Sequence, residues 1–228
     1  MSRSRRPAWL AAGWLVASAT LGRAAEAPAP PALLYELPAA GSYQLPPIDR
    51  VSEHVLLGSD GHDAPLLALA PGRFAVVAFV YLGCHDAAGC PLLLATLQQV
   101  DRSLAASPAL AGRVRLATVS FDPQRDDPAA MADLRVALAP RGDWRFFTGR
   151  DEAMLRPVLA DFDQDAVPAL VREGEAEGAL RHVAKVFLID GERRIRNVYG
   201  SGFLDARILM RDLETLLGEA SARPQPAR

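Results

Sequence analysis

FAVVAFVYLGCHDAAGCPLLLATLQQV, Phe74 to Val100, decides the fold. Its opening run, FAVVAFVYL, is apolar without a break, as a strand covered by helices on both faces must be. GCHDAAGCP, Gly83 to Pro91, follows and holds the only two cysteines of the chain, Cys84 and Cys90. Pro91 suits a first helical position, and Leu93, Leu97, Val100 and Leu104 then recur at helical spacing. The stretch therefore predicts a central strand, a cysteine loop and a helix whose N-terminus carries Cys90.

Working outward, HVLLGSDGHDAPLLAL predicts a hairpin from about His54 to Leu69, with apolar residues alternating around a Gly and Asp turn. Downstream, VRLATVSFD reads as a strand, and Asp127 with Pro128 as cap and first-turn residue of the helix AAMADLRVALA. WRFFTG, a helix around EAMLRPVLADF, the strands HVAKVFLID and RIRNVYG, and the amphipathic helix DARILMRDLETLL complete the order. Hairpin, strand, loop, helix, strand, helix, strand, helix, hairpin, helix is the order of a thioredoxin-like α/β fold with an added N-terminal β-hairpin.

The N-terminus narrows the compartment. Arg3, Arg5 and Arg6 precede an uncharged stretch from Pro7 to Leu21, and small residues stand at Gly22, Ala24 and Ala25. This pattern predicts a secretory signal over residues 1–25. Its apolar part, about 14 residues, is short of the roughly 20 that a spanning helix needs, and an uncleaved segment would serve as an anchor. Residues 26–47, rich in Ala and Pro, read as a leader, 48–218 as the domain and 219–228 as a disordered tail. The expected location is periplasmic or otherwise exported, either free or anchored to the inner membrane through the N-terminal segment. Formal charge is −2 with no basic block after the signal, which excludes a nucleic-acid partner.

About 200 residues after processing bury a core without disulfide help, so the cysteines are free for chemistry. Closing so short a loop contributes only about 2 kcal/mol, against nearly 5 for a very long one. The partial positive charge at a helix N-terminus predicts a lowered thiol pKa. Two thiolates joined by a neutral imidazole, with His182 the third group, make a soft site suited to Cu(I) and tolerant of Cu(II). The same donors suit zinc. Three readings stand side by side: a copper site, a redox pair of Cys84 and Cys90, and a structural disulfide. A peroxidase is disfavoured, because VYLGCHDAAGCP lacks the Pro and Thr that precede a peroxidatic cysteine.

Four stretches taken in order carry a resemblance. They are the strand with its loop ending in Cys90 and Pro91, VSFDPQRDDP from Val119 to Pro128, WRFFTG from Trp144 to Gly149, and HVAKVFLIDGERRI from His182 to Ile195. From roughly Leu45 to Leu217 the chain resembles the SCO/SenC family of copper-binding, thioredoxin-fold assembly factors for cytochrome c oxidase. The resemblance implies that Cys84, Cys90 and His182 match the family's copper ligands, for Cu(I) or Cu(II). It further implies delivery to the copper-bearing subunit of an oxidase or a related cuproprotein, by a binding protein rather than an enzyme. The alternative is a thiol:disulfide oxidoreductase acting on the cysteines of such a pathway.

The chain departs from the family in one respect: five residues, His85 to Gly89, separate the cysteines where the usual number is three. His85 is expected to be a solvated loop residue, and His54 and His62 surface residues. Arg125 is expected to pair with a nearby carboxylate. The polar segment from Asp161 to His182 reads as a solvated loop, one that would deliver His182 to the cysteines if metal ordered it.

Overall fold

The computed structural model describes residues 33, 35–84, 89–164, 167–168, 180–181 and 184–222. The chain divides into a short N-terminal unit, Met1–Glu36, and a unit Leu37–Arg228 that holds every element described. The expected signal over residues 1–25 lies outside the described residues.

Strand β4 (Phe74–Val80) is the centre, and all seven of its residues are buried. It runs parallel to β5 (Val114–Ser120) on one side and antiparallel to β9 (Lys185–Asp190) on the other. Beyond β5 lies β6 (Trp144–Thr148), and beyond β9 lies β10 (Arg194–Gly200). The expected hairpin is β2 (Val55–Gly58) with β3 (Asp63–Pro65), and it extends the β6 edge. A strand not foreseen, β1 (Asp49–Arg50), pairs with β10 and closes an eight-stranded sheet. Two residues of backbone ladder carry no side-chain periodicity, so no pattern announced it.

Helices α1 (Cys90–Ala105) and α4 (Ala206–Ala222) pack against each other. Leu93, Leu97, Val100 and Leu104 are the buried face of α1, as the spacing predicts. Helix α2 (Pro128–Leu138) is capped by Asp127, whose carboxylate accepts the Ala130 N–H at 2.8 Å. Helix α3 (Glu152–Asp161) is capped by Asp151 in the same way. The rings of Phe79 on β4, Phe187 on β9 and Phe162 after α3 meet edge to face, with centroids 5.0 to 6.2 Å apart. The arrangement is the thioredoxin-like one, and among the described residues no helix is long and apolar enough to cross a membrane.

Both ends of the expected domain extend further than composition implied. In the leader, Gly41 N–H donates to Thr215 Oγ1 at 3.0 Å and Tyr43 O–H to Asp212 at 2.5 Å. The Leu45 carbonyl accepts from Arg196 at 2.6 Å. Helix α4 passes the expected start of the tail at 219, because Glu219 pairs with Arg196 at 2.6 Å; it ends at Ala222, before Arg223 and Pro224. These partners lie far apart in sequence, which local composition does not register.

His54 corrects another expectation. Its side chain is only 14% exposed, and Nε2 lies 2.8 Å from the Asp161 carboxylate at the end of α3. Asp161 also accepts the Ser52 N–H at 2.7 Å, so a contact across 107 residues half-buries a histidine read as surface. His62 is at the surface as expected, with 85% of its side chain exposed.

Candidate functional site

Parallel pairing in register brings Val80 beside Ser120, so β4 and β5 end at one edge of the sheet. From that edge the chain leaves β4 through Tyr81, whose ring leans on Phe121 with centroids 5.3 Å apart. A turn follows in which Cys84 N–H donates to the Tyr81 carbonyl at 3.2 Å. Cys84 is half-buried at the end of this limb. His85 and the three residues after it lie outside the described residues, so the expectation for His85 stands where the sequence left it.

The other limb is rigid. Gly89 supplies the backbone that caps α1, with its carbonyl accepting Leu93 N–H at 3.1 Å, and Cys90 opens the helix with Pro91 behind it. Cys90 is only 3% exposed. Neither cysteine is in a disulfide, and the two thiols stand within hydrogen-bonding reach of one another. The two cysteines are thus brought together across the five-residue loop.

The thiol pKa overturns one expectation. Burial pushes the Cys90 thiol up to about 12, and the neighbouring Cys84 adds to the rise. Backbone hydrogen bonds from Tyr81 and from Cys90 itself pull the other way and lose. The magnitudes explain why. A helix N-terminus is worth about 1 kcal/mol, less than one pKa unit, whereas full burial moves a group by as much as about 3–5 units. Position on a helix was legible; depth beneath the surface was not.

VSFDPQRDDP braces the loop from β5. Ser120 Oγ–H donates to Asp126 Oδ2 at 2.6 Å and accepts the Asp122 N–H at 3.1 Å. Asp126 Oδ2 also accepts the Leu82 N–H at 2.9 Å, two residues before Cys84. Arg125 pairs with Asp122 at 2.8 Å, the pairing expected of it. Asp126 is 3% exposed, and burial raises its pKa against the pull of the Ser120 and Leu82 bonds. Sequence reasoning passed over Asp126. The available sign was a second acid beside the capping Asp127, which cannot serve the same cap.

The third ligand expected, His182, lies outside the described residues. The strand that follows it in sequence enters the sheet at the cysteine edge, since Val186 of β9 pairs with Ala78 of β4. Before it, β7 (Val167–Pro168) and β8 (Leu180–Arg181) form a separate antiparallel ladder across the polar segment that the sequence reads as a loop. Lys185, at the start of β9, donates to the Asp163 carbonyl at 3.0 Å in the turn that follows α3. Among the described residues no three His, Cys, Asp or Glu side chains stand together as a ligand set. The described part of the site is therefore the two thiols alone, a soft donor pair able to bind a metal or to exchange electrons.

Residues 52–218 match the SCO1/SenC family model. No curated protein matches the chain. Among solved structures, apo Sco1 from Thermus thermophilus is similar at 25% identity and a TM-score of 0.61, covering 77% of this chain and 95% of that one. ScoI of Arabidopsis thaliana with copper bound is similar at 17% identity and a TM-score of 0.62, covering 74% and 98%. BsSco, described with a disulfide switch and as a member of the Sco family of cytochrome c oxidase assembly proteins, is similar at 20% identity and a TM-score of 0.60, covering 80% and 100%.

Proposed function

This chain belongs to the SCO1/SenC family, and on that footing we propose that it is a copper metallochaperone that serves the assembly of a respiratory oxidase. Cys84, Cys90 and His182 hold the copper, and the recipient is the copper-bearing subunit of cytochrome c oxidase or a related cuproprotein. The observation that carries this reading is the meeting of two thiols outside any disulfide at the mouth of the sheet, one in the first turn of α1 and one on a half-buried limb. The register of β9 supports the third ligand, because the chain after His182 arrives at the same edge.

Copper is cargo here, and unequal limbs suit a carrier. Cys90 is a permanent anchor, while Cys84 is accessible enough to meet an incoming donor or acceptor. Binding copper displaces the proton from a thiol that burial holds protonated at neutral pH, so capture is coupled to proton release. Work takes place outside the cytoplasm, with the protein exported through residues 1–25 and either released or kept at the inner membrane.

The test is Cu(I) and Cu(II) binding by the reduced protein beside Cys84→Ser, Cys90→Ser and His182→Ala. One-to-one binding lost in both cysteine variants and weakened in the histidine variant is the expected result. A second reading, a thiol:disulfide oxidoreductase of the same assembly pathway, draws on the closeness of the two thiols, which needs no third group. Full activity of His182→Ala in an oxidase-assembly complementation assay would select that reading.

A further inference from the structure

The two limbs of the cysteine pair are held by unequal means. Cys90 takes its place from α1, a helix of 16 residues packed on the sheet. Cys84 stands four residues beyond the end of β4, and besides the backbone hydrogen bond that Tyr81 makes with the Cys90 thiol its limb has two described backbone anchors. One is local, the turn in which Cys84 N–H meets the Tyr81 carbonyl. The other reaches in from a different element: Asp126 Oδ2 takes the Leu82 N–H at 2.9 Å. That oxygen is itself held by the Ser120 hydroxyl at 2.6 Å, on the last residue of β5. Phe121 N–H donates to the Val80 carbonyl at 3.1 Å and locks the same two strand ends together. A buried carboxyl thus ties the root of the Cys84 limb to the rigid end of the neighbouring strand.

We propose that Asp126 is the positioning residue of the cysteine pair, and that its oxygen, acting as a hydrogen-bond acceptor for the Leu82 amide, sets where the Cys84 sulfur stands relative to Cys90. The proposal rests on the reading that these sulfurs hold copper and extends it to a residue that touches neither of them. Both donors to Asp126 are neutral groups, an amide and a hydroxyl, so the acceptor matters and the negative charge does not. Outer partners that orient metal ligands are worth about 10–100-fold in affinity. Leu82 is linked to Cys84 through Gly83 and not by direct contact with the sulfur, which places the expected effect near the lower end of that range.

The experiment compares the full chain with Asp126→Asn, Asp126→Ala and Ser120→Ala. Cu(I) affinity is read by chelator competition, and the Cu(II)–thiolate charge-transfer band by absorption. Asp126→Asn keeps an oxygen acceptor and is expected to stay within about threefold of the parent with its band unmoved. Asp126→Ala is expected to lose about tenfold in Cu(I) affinity and to shift the band. Ser120→Ala, which removes one hydrogen bond from the brace, is expected to lose about two- to fivefold. Parental affinity and band in Asp126→Ala would overturn the proposal, as would equal losses in the Ala and Asn variants.

If the parent itself binds no copper, the metallochaperone reading fails and the positioning role is judged on the thiols alone. In a glutathione buffer the pair passes two electrons and two protons to oxidised glutathione, forming the Cys84–Cys90 disulfide and two reduced glutathiones. Asp126→Ala is then expected to move the equilibrium constant about tenfold and Asp126→Asn to leave it in place, whereas no movement in the Ala variant overturns the proposal. Should circular dichroism find Asp126→Ala unfolded, Ser120→Ala carries the test, and parental values in every readout would refute the role.

Discussion

The two ends of β4 treat buried polar groups in opposite ways. Where the strand begins, Phe74 lies beside Asp190, and that carboxylate is ringed by ionic partners: Arg194 at 2.7 Å and Arg196 at 3.0 Å. Arg196, 6% exposed, reaches on to Glu219 and the Leu45 carbonyl. Burial raises the Asp190 pKa, yet the hydrogen bonds from Arg194 and Arg196 outweigh it and hold the carboxyl below its usual range. Where the strand ends, about 20 Å away at 3.3 Å per residue, buried Cys90 and Asp126 are hydrogen-bonded to neutral groups and are pushed toward their uncharged forms. Cys90 rises to about 12 and Asp126 rises as well, both chiefly through burial. One end is satisfied by charge pairing and stabilises the fold. The other opposes ionisation of the groups it buries.

The largest expected effect would break the stabilising end. Arg196→Ala takes from Asp190 one of its two guanidinium partners, Arg194 remaining, and from Glu219 its own, and it empties the space of a buried side chain, for an expected loss of about 2–3 kcal/mol. Urea unfolding measures it, and a loss under about 1 kcal/mol would show that pairing at this end carries no special weight. Copper binding, at the far end of the sheet, is expected to stay within about twofold in the folded fraction of this variant.

A smaller effect lies in the acid limb of stability. A carboxyl whose folded pKa is depressed, as for Asp190, contributes stability that is present above the unfolded value of about 3.9 and lost as pH falls through the folded one. Asp126, raised, works with the opposite sign: the cost of ionising it is present above its folded pKa and is relieved as pH falls. Thermal unfolding from pH 6 downward is therefore expected to give Asp190→Asn a shallower acid decline than the parent, and Asp126→Asn a steeper one. Parallel profiles would erase the contrast between the ends.

The smallest effect sharpens the contrast at neutral pH. Asp126→Asn removes an ionisation that burial opposes while retaining an acceptor for Leu82 and Ser120, so its stability is expected within about 0.5 kcal/mol of the parent. Asp190→Asn under the same conditions is expected to lose more than about 1 kcal/mol, because it removes the carboxylate that Arg194 and Arg196 share and leaves them Glu192 and Glu219 alone.

What the sequence made legible was whatever repeats at short range. The unbroken run from Phe74 announced a strand buried on both faces, Leu93, Leu97, Val100 and Leu104 the inner face of α1, and Asp127 with Pro128 the start of α2. Cys84 and Cys90 were singled out by type and by place, and the ordered stretches around them gave the family. Hidden were the contacts that close across the chain: His54 with Asp161, Tyr43 with Asp212, Arg196 with the Leu45 carbonyl and Glu219. None of these partners shares a periodic pattern, so nothing local marks them as a pair.

The sequence by itself determined the order of the long elements, the thioredoxin-like class and one sulfur, that of Cys90, at the start of a helix, because hydrophobic period and capping chemistry act over a few residues. Only the tertiary structure decided that Cys90 is buried deeply enough for desolvation to override the helix end. It alone brought Asp126 from the β5 edge to the root of the Cys84 limb. Both outcomes depend on how far a group lies from water and from a neighbouring strand, and distance in space is fixed by packing rather than by position along the chain.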